Sequence, residues 1–114
     1  MDLFEDGQEL DPEWVGIGNN VSGILRGCRD ASVVARTFAL AGWTSRSSSW
    51  QGYELETSWC RVEVEPVEGP DVLLNGVVDL QRVDELADVL HRSAARYSLE
   101  LYDGDNTLVR EIQP

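Results

Sequence analysis

Lysine is absent from this chain: its nine basic residues are all arginine, set against 21 acids and one histidine, for a net charge of −12. A chain so negative is a poor match for nucleic acid or anionic membranes, which are held by basic surfaces. The single histidine, His91, is too little for a multi-histidine metal centre. It also lacks a nucleophile beside it, because Ser93, two residues on, faces another side of a helix. Two cysteines, Cys28 and Cys60, make neither a disulfide framework nor a zinc site, and both read as free thiols. No apolar run approaches the roughly 18–20 residues of a membrane-spanning helix. The opening Met1-Asp2-Leu3-Phe4-Glu5-Asp6 has neither the basic start nor the apolar stretch of a signal peptide. The expectation is a cytoplasmic, soluble, globular chain whose 114 residues form a single domain.

Two glycine-containing passages invite and then fail a chemical reading. Gly16-Ile17-Gly18 lacks the further glycine spacing and the lysine of a phosphate loop, and reads as a turn. Asp103-Gly104-Asp105-Asn106-Thr107 starts like a calcium loop, but Leu108 stands where that loop requires glycine. It reads as a hairpin turn. No metal and no cofactor are expected.

What the chain does contain is a change of hydrophobic period. The first thirteen residues carry six acids and no base, and read as a loosely ordered acidic arm that Trp14-Val15-Gly16-Ile17 anchors to the core. Val21 to Leu25 suits a short strand. Asp30 is a good N-cap for a helix over Ala31–Ala41, with Val34, Phe38 and Ala41 on its apolar stripe and Gly42 at its end. From Trp43 to Val78 the period falls from about 3.6 to 2. Tyr53, Leu55 and Thr57 alternate with Glu54, Glu56 and Ser58. Cys60, Val62 and Val64 alternate with Arg61, Glu63 and Glu65. Both runs predict antiparallel strands with one wet face. Val72 to Val78 is apolar throughout, as in a central strand, and Gly76 within it marks a bulge or a close backbone approach. Asp79 caps a second helix from Leu80 to about Arg96, buried through Val83, Leu86, Ala87, Leu90 and Ala94, with Asp88 and Arg92 spaced for an ion pair. A hairpin follows, Tyr97–Tyr102 turning at Asp103–Asn106 and returning over Thr107–Ile112. The fold expected is α+β: a mostly antiparallel sheet of five to six strands with two amphipathic helices on one face.

Two features exceed this background, the acid excess and four tryptophans, of which Trp43, Trp50 and Trp59 cluster among the strands. If Cys60, Val62 and Val64 face the core, Trp59 shares the outer face with Arg61, Glu63 and Glu65. An exposed tryptophan among charges is the composition of an interface hot spot. Glu54, Glu56, Trp59, Arg61, Glu63 and Glu65 are therefore the candidate partner-binding residues, with no catalytic residue expected.

In outline the chain resembles the immunity proteins of bacterial polymorphic toxin systems. The resemblance lies in the small acidic domain, the helix ending Leu40-Ala41-Gly42-Trp43, the Trp- and Tyr-rich strands after it, and the capped helix Asp79–Arg96 before a final hairpin. Arginine without lysine also looks like the usage of a high-GC bacterium. The resemblance implies a cytoplasmic, non-enzymatic inhibitor that binds one basic cognate protein, a toxin domain such as a nuclease, and occludes its active-site cleft. It assigns no residue by position. An adaptor, secretion chaperone or phage accessory protein acting through homo- or hetero-oligomerisation is the alternative, and the chain could be monomer or homodimer on either reading. An enzyme using carboxylates alone is the weakest, since Glu54/Glu56 and Glu63/Glu65 read as solvated strand charge.

Overall fold

A computed structural model describes residues 9–28, 30–48, 51–67, 69–93 and 96–113. Its elements run β1 (Val21–Arg26), α1 (Ala31–Leu40), β2 (Thr44–Ser47), β3 (Tyr53–Thr57), β4 (Cys60–Pro66), β5 (Val72–Val78), α2 (Val83–Ser93), β6 (Arg96–Tyr102) and β7 (Leu108–Ile112). The architecture is α+β, as expected. The described residues form seven strands rather than five or six, with the polar Thr44–Ser47 pairing along β3 as a strand of its own.

Every strand pair is antiparallel, and the order across the sheet is β2-β3-β4-β5-β1-β6-β7. The strand earliest in the chain thus sits between β5 and β6, with Val21 opposite Gly76 on one side and Leu101 on the other. Gly76 is required by close approach: a Cβ there would come within 2.6 Å of the Val62 Cα.

Asp30 caps α1 as its type predicts, its Oδ1 accepting from the Ser32 amide at 2.9 Å. The buried stripe of α1 is Ala31, Val34, Ala35 and Phe38, whereas Ala41 and Val33 remain exposed. Gly42 ends the helix with φ +98°, the left-handed geometry that glycine adopts without strain. The second helix is shorter than expected at both ends. Asp79 folds a preceding turn, its Oδ1 accepting from the Gln81 amide and its carbonyl from the Arg82 amide, each at 2.9 Å. The helix then opens at Val83, and Arg96 already belongs to β6; Ala94 lies outside the described residues. Its ion pairs among the described residues are Glu85 with Arg82 at 2.6 Å and Asp84 with Arg110 at 2.7 Å, rather than Asp88–Arg92.

α1 and α2 pack against each other and against one face of the sheet. Between them lies the core, with Phe38 fully buried edge-on to Trp43 at 4.8 Å and Trp43 edge-on to Trp59 at 5.3 Å. The opposite sheet face carries no helix among the described residues. The segment before β1 reaches it at one end: the Leu10 amide bonds Glu56, the Asp11 amide bonds the Ser58 carbonyl, and the Asn20 amide bonds the Gly76 carbonyl. Of the acidic arm, residues 1–8 lie outside the described residues. The anchor is Leu10, only 6% exposed, rather than Trp14–Ile17, where Trp14 is half-buried and Val15 and Ile17 are exposed. No helix among the described residues is long and apolar enough to cross a membrane.

Candidate protein-binding face

Alternation along each strand sends one set of side chains to the helices and the other to the bare face. Register then aligns the bare-face residues in rows across strands. One row runs Arg46–Glu54–Glu63–Asn75–Ser22–Glu100–Glu111, from β2 to β7. The next runs Glu65–Leu73–Ile24–Ser98 from β4 to β6. Glu63 and Glu100 stand three strands apart, about 14 Å at the usual strand spacing. Between these acids lie the neutral Asn75 and Ser22 and the half-buried Leu73 and Ile24. A neutral and apolar centre flanked by charge is the anatomy of a protein interface.

The sequence-selected residues divide on this frame. Glu54, Glu56, Arg61, Glu63 and Glu65 all lie on the bare face, brought together by pairing of Glu54 with Glu63 and of Glu56 with Arg61. Glu63 is exposed, and Glu54, Arg61 and Glu65 are half-buried. Glu56 is a correction. It is 5% exposed, because its Oε2 accepts the Leu10 amide at 2.7 Å and its Oε1 takes the Arg46 guanidinium. It is a buried clamp and not a wet surface charge. Arg46 also donates to Glu54 at 3.0 Å, which leaves that carboxylate partly neutralised.

Trp59 is the second correction. It is 8% exposed and belongs to the core beside Trp43. The alternation that placed it outside was counted through Ser58 and Trp59, but these form the turn between β3 and β4, and the strand begins only at Cys60. Arg82 lies over its ring, 4.7 Å from the centroid, so a cation covers one face of the indole. Trp50 lies outside the described residues.

Among the described residues neither Glu63, Glu65, Glu100 nor Glu111 is within ion-pair distance of an arginine. The face is mixed in sign: its six glutamates, Glu54, Glu56, Glu63, Glu65, Glu100 and Glu111, share it with Arg46, Arg61, Arg26 and Arg96, which leaves a small excess of acid. Glu100 and Glu111 were missed because they join the site only through the order of strands. The alternation of Tyr97, Leu99 and Leu101 with Ser98, Glu100 and Tyr102 placed Glu100 on a wet face. Nothing local said that this face was shared with β4.

The remaining chemistry-bearing residues are dispersed. His91 is exposed in the last turn of α2. Cys60 is buried and Cys28 half-buried, both as free thiols, and burial raises each thiol's pKa. No group of acids, histidines and cysteines that could hold a metal ion occurs among the described residues. Asp103 accepts from the Asp105 and Thr107 amides at 2.9 and 3.1 Å, as a hairpin turn requires. No protein-family model, curated protein or solved structure matches this chain.

Proposed function

We propose that the protein is a small, non-catalytic binding module that neutralises a basic protein, in the manner of a toxin-immunity protein. The observation that carries this reading is the sheet face that no described helix covers, with Glu63, Glu65, Glu100 and Glu111, interspersed with Arg61, Arg26 and Arg96, around a neutral centre of Asn75, Ser22, Leu73 and Ile24. The chain's net charge of −12 accelerates encounter with a basic partner, and the apolar centre of the face supplies the desolvated contact that slows release. A rigid sheet loses little entropy on docking, since its backbone is already ordered. Occupying the basic cleft of an enzyme needs shape and charge but no chemistry from this chain. The reading has the partner as a basic protein in the cytoplasm, with no nucleic acid, membrane, metal or cofactor involved.

The test is affinity capture from the native host's lysate at low and moderate salt, followed by mass spectrometry and an assay of the recovered protein. One basic protein in equal ratio, with its activity suppressed by this chain, supports the reading. Recovery of the chain alone at both salts overturns it.

One feature favours an assembly role instead. β7 is an edge strand whose Leu108 and Val109 are 47% and 51% exposed, and exposed edges recruit further strands. A concentration-dependent dimer in light scattering, with no basic partner captured, would select that second reading.

A further inference from the structure

The two glycine-containing passages that carry no chemistry separately meet at one end of the sheet. Gly16–Asn20 before β1, the Asp79–Arg82 turn after β5, and the Asp103–Asn106 turn after β6 enclose a groove of about 600 Å³. That is the size of a small-molecule site. Its apolar walls are Trp14, Ile17, Leu80 and Tyr102, and its charged groups are Asp79 and Asp103. No arginine or histidine among the described residues lines it. The neighbouring base, Arg82, is already engaged by Glu85 and by the Trp59 ring.

The apolar character extends beyond the walls. Ile17 and Leu80 are 47% and 37% exposed, and so is Val15, next to Trp14, at 55%. Leu108, 47% exposed, pairs with Tyr102. Half of the eight large apolar side chains that the described residues leave exposed therefore border this one end. Clustered exposed apolar surface marks a binding site more often than scattered residues do.

We propose that this groove binds a small organic cation on an apolar stem, an aryl- or alkyl-amidine or guanidine. Two carboxylates with no base among the lining residues select positive charge, and the aromatic faces of Trp14 and Tyr102 accept both the stem and the cation. An amidinium or guanidinium presents paired N–H donors that suit a carboxylate. The groove is held ready for such a ligand. The Asn20 side chain bonds the Val78 carbonyl and amide, each at 2.8 Å, while Asp79 and Asp103 are fixed by backbone amides. The site uses none of Glu63, Glu65, Glu100 or Glu111, so it stands or falls separately from the sheet face.

The experiment is an NMR titration of the ¹⁵N-labelled protein with benzamidine, and with benzamide as the neutral isostere. Benzamidine should shift the Trp14 indole, the Asn20 side-chain amide and the Gly104 amide together, with a Kd below about 1 mM, and benzamide should bind at least about tenfold more weakly. Asp79→Asn and Asp103→Asn each keep the acceptor that holds the local turn and remove only the charge. Each should weaken benzamidine severalfold while the urea midpoint stays near the parent value. Equal binding of benzamide, shifts confined to Glu63 and Glu65, or no shift up to about 10 mM benzamidine overturns the proposal.

Discussion

The Leu10 amide donates to Glu56 Oε2 at 2.7 Å, and both residues are buried on the face of the sheet opposite α1 and α2. One carboxylate thereby ties the start of the described chain to β3 and, through Arg46, to β2. Removing this buried carboxylate leaves the Leu10 amide without its acceptor, while Arg46, half exposed, keeps its bond to Glu54.

Glu56→Ala should therefore destabilise the fold by about 1–3 kcal/mol in urea unfolding. Glu56→Gln, which still accepts one bond, should cost less. Loss below about 0.5 kcal/mol for the alanine variant would mean that the clamp is incidental.

Gly76 lies where β4 and β5 approach too closely for a side chain. Gly76→Ala should lower stability by about 2 kcal/mol or more, because the added methyl meets the Val62 Cα and backbone atoms that cannot move aside alone. A parent-like urea midpoint would contradict the close approach. Val62→Asp, which buries an unpaired charge at the same junction, should be more severe still.

The Asp30 carboxylate has a lowered pKa because the Ser32 amide donates to it. Its folded value is below the unfolded one, near 3.9, so its contribution is complete above that value and is lost as pH falls through the lower folded value. Asp30→Ala should thus be less stable than the parent at pH 7, and the gap should close in strongly acid solution. A gap that does not change between neutral and acid pH would contradict the cap.

Burial, and then the nearby Asp71 charge, raises the Cys28 thiol's pKa, and deeper burial raises that of Cys60 much further. Alkylation followed by mass spectrometry at pH 8 should modify Cys28 more slowly than free cysteine. Cys60 should react only when the protein unfolds. Rapid labelling of Cys60 in the native protein would contradict the packing beneath α1 and α2.

Local signals carried much of this architecture. The Asp30 cap, the Gly42 stop, the β3 and β4 alternation and the Asp103 turn are each written within a few residues, and each occurs where the pattern places it. What failed was non-local. The position of β1 between β5 and β6 depends on pairings about fifty to eighty residues apart in the chain, so Glu100 could not be joined to Glu63. Glu56 obeys the alternation that puts it on the outer face, but Leu10 and Arg46 then cover it. Trp59 fails for a local reason, since a turn interrupts the period of two. Of the six candidate residues, five share one sheet face, and among the described residues the exposed Glu63 and the half-buried Glu65 and Arg61 are the ones outside ion pairs that still offer charge to a partner.

The bare sheet face is most directly tested by comparing the parent with a Glu63→Arg/Glu65→Arg variant for binding to the captured basic partner, by calorimetry at two salt concentrations. Both residues lie on the uncovered face without ion-pair partners among the described residues, so the variant should keep the parent's unfolding midpoint. The account predicts a Kd raised by about tenfold or more, with the parent's affinity falling as salt rises. Equal affinity of parent and variant for that partner would contradict it.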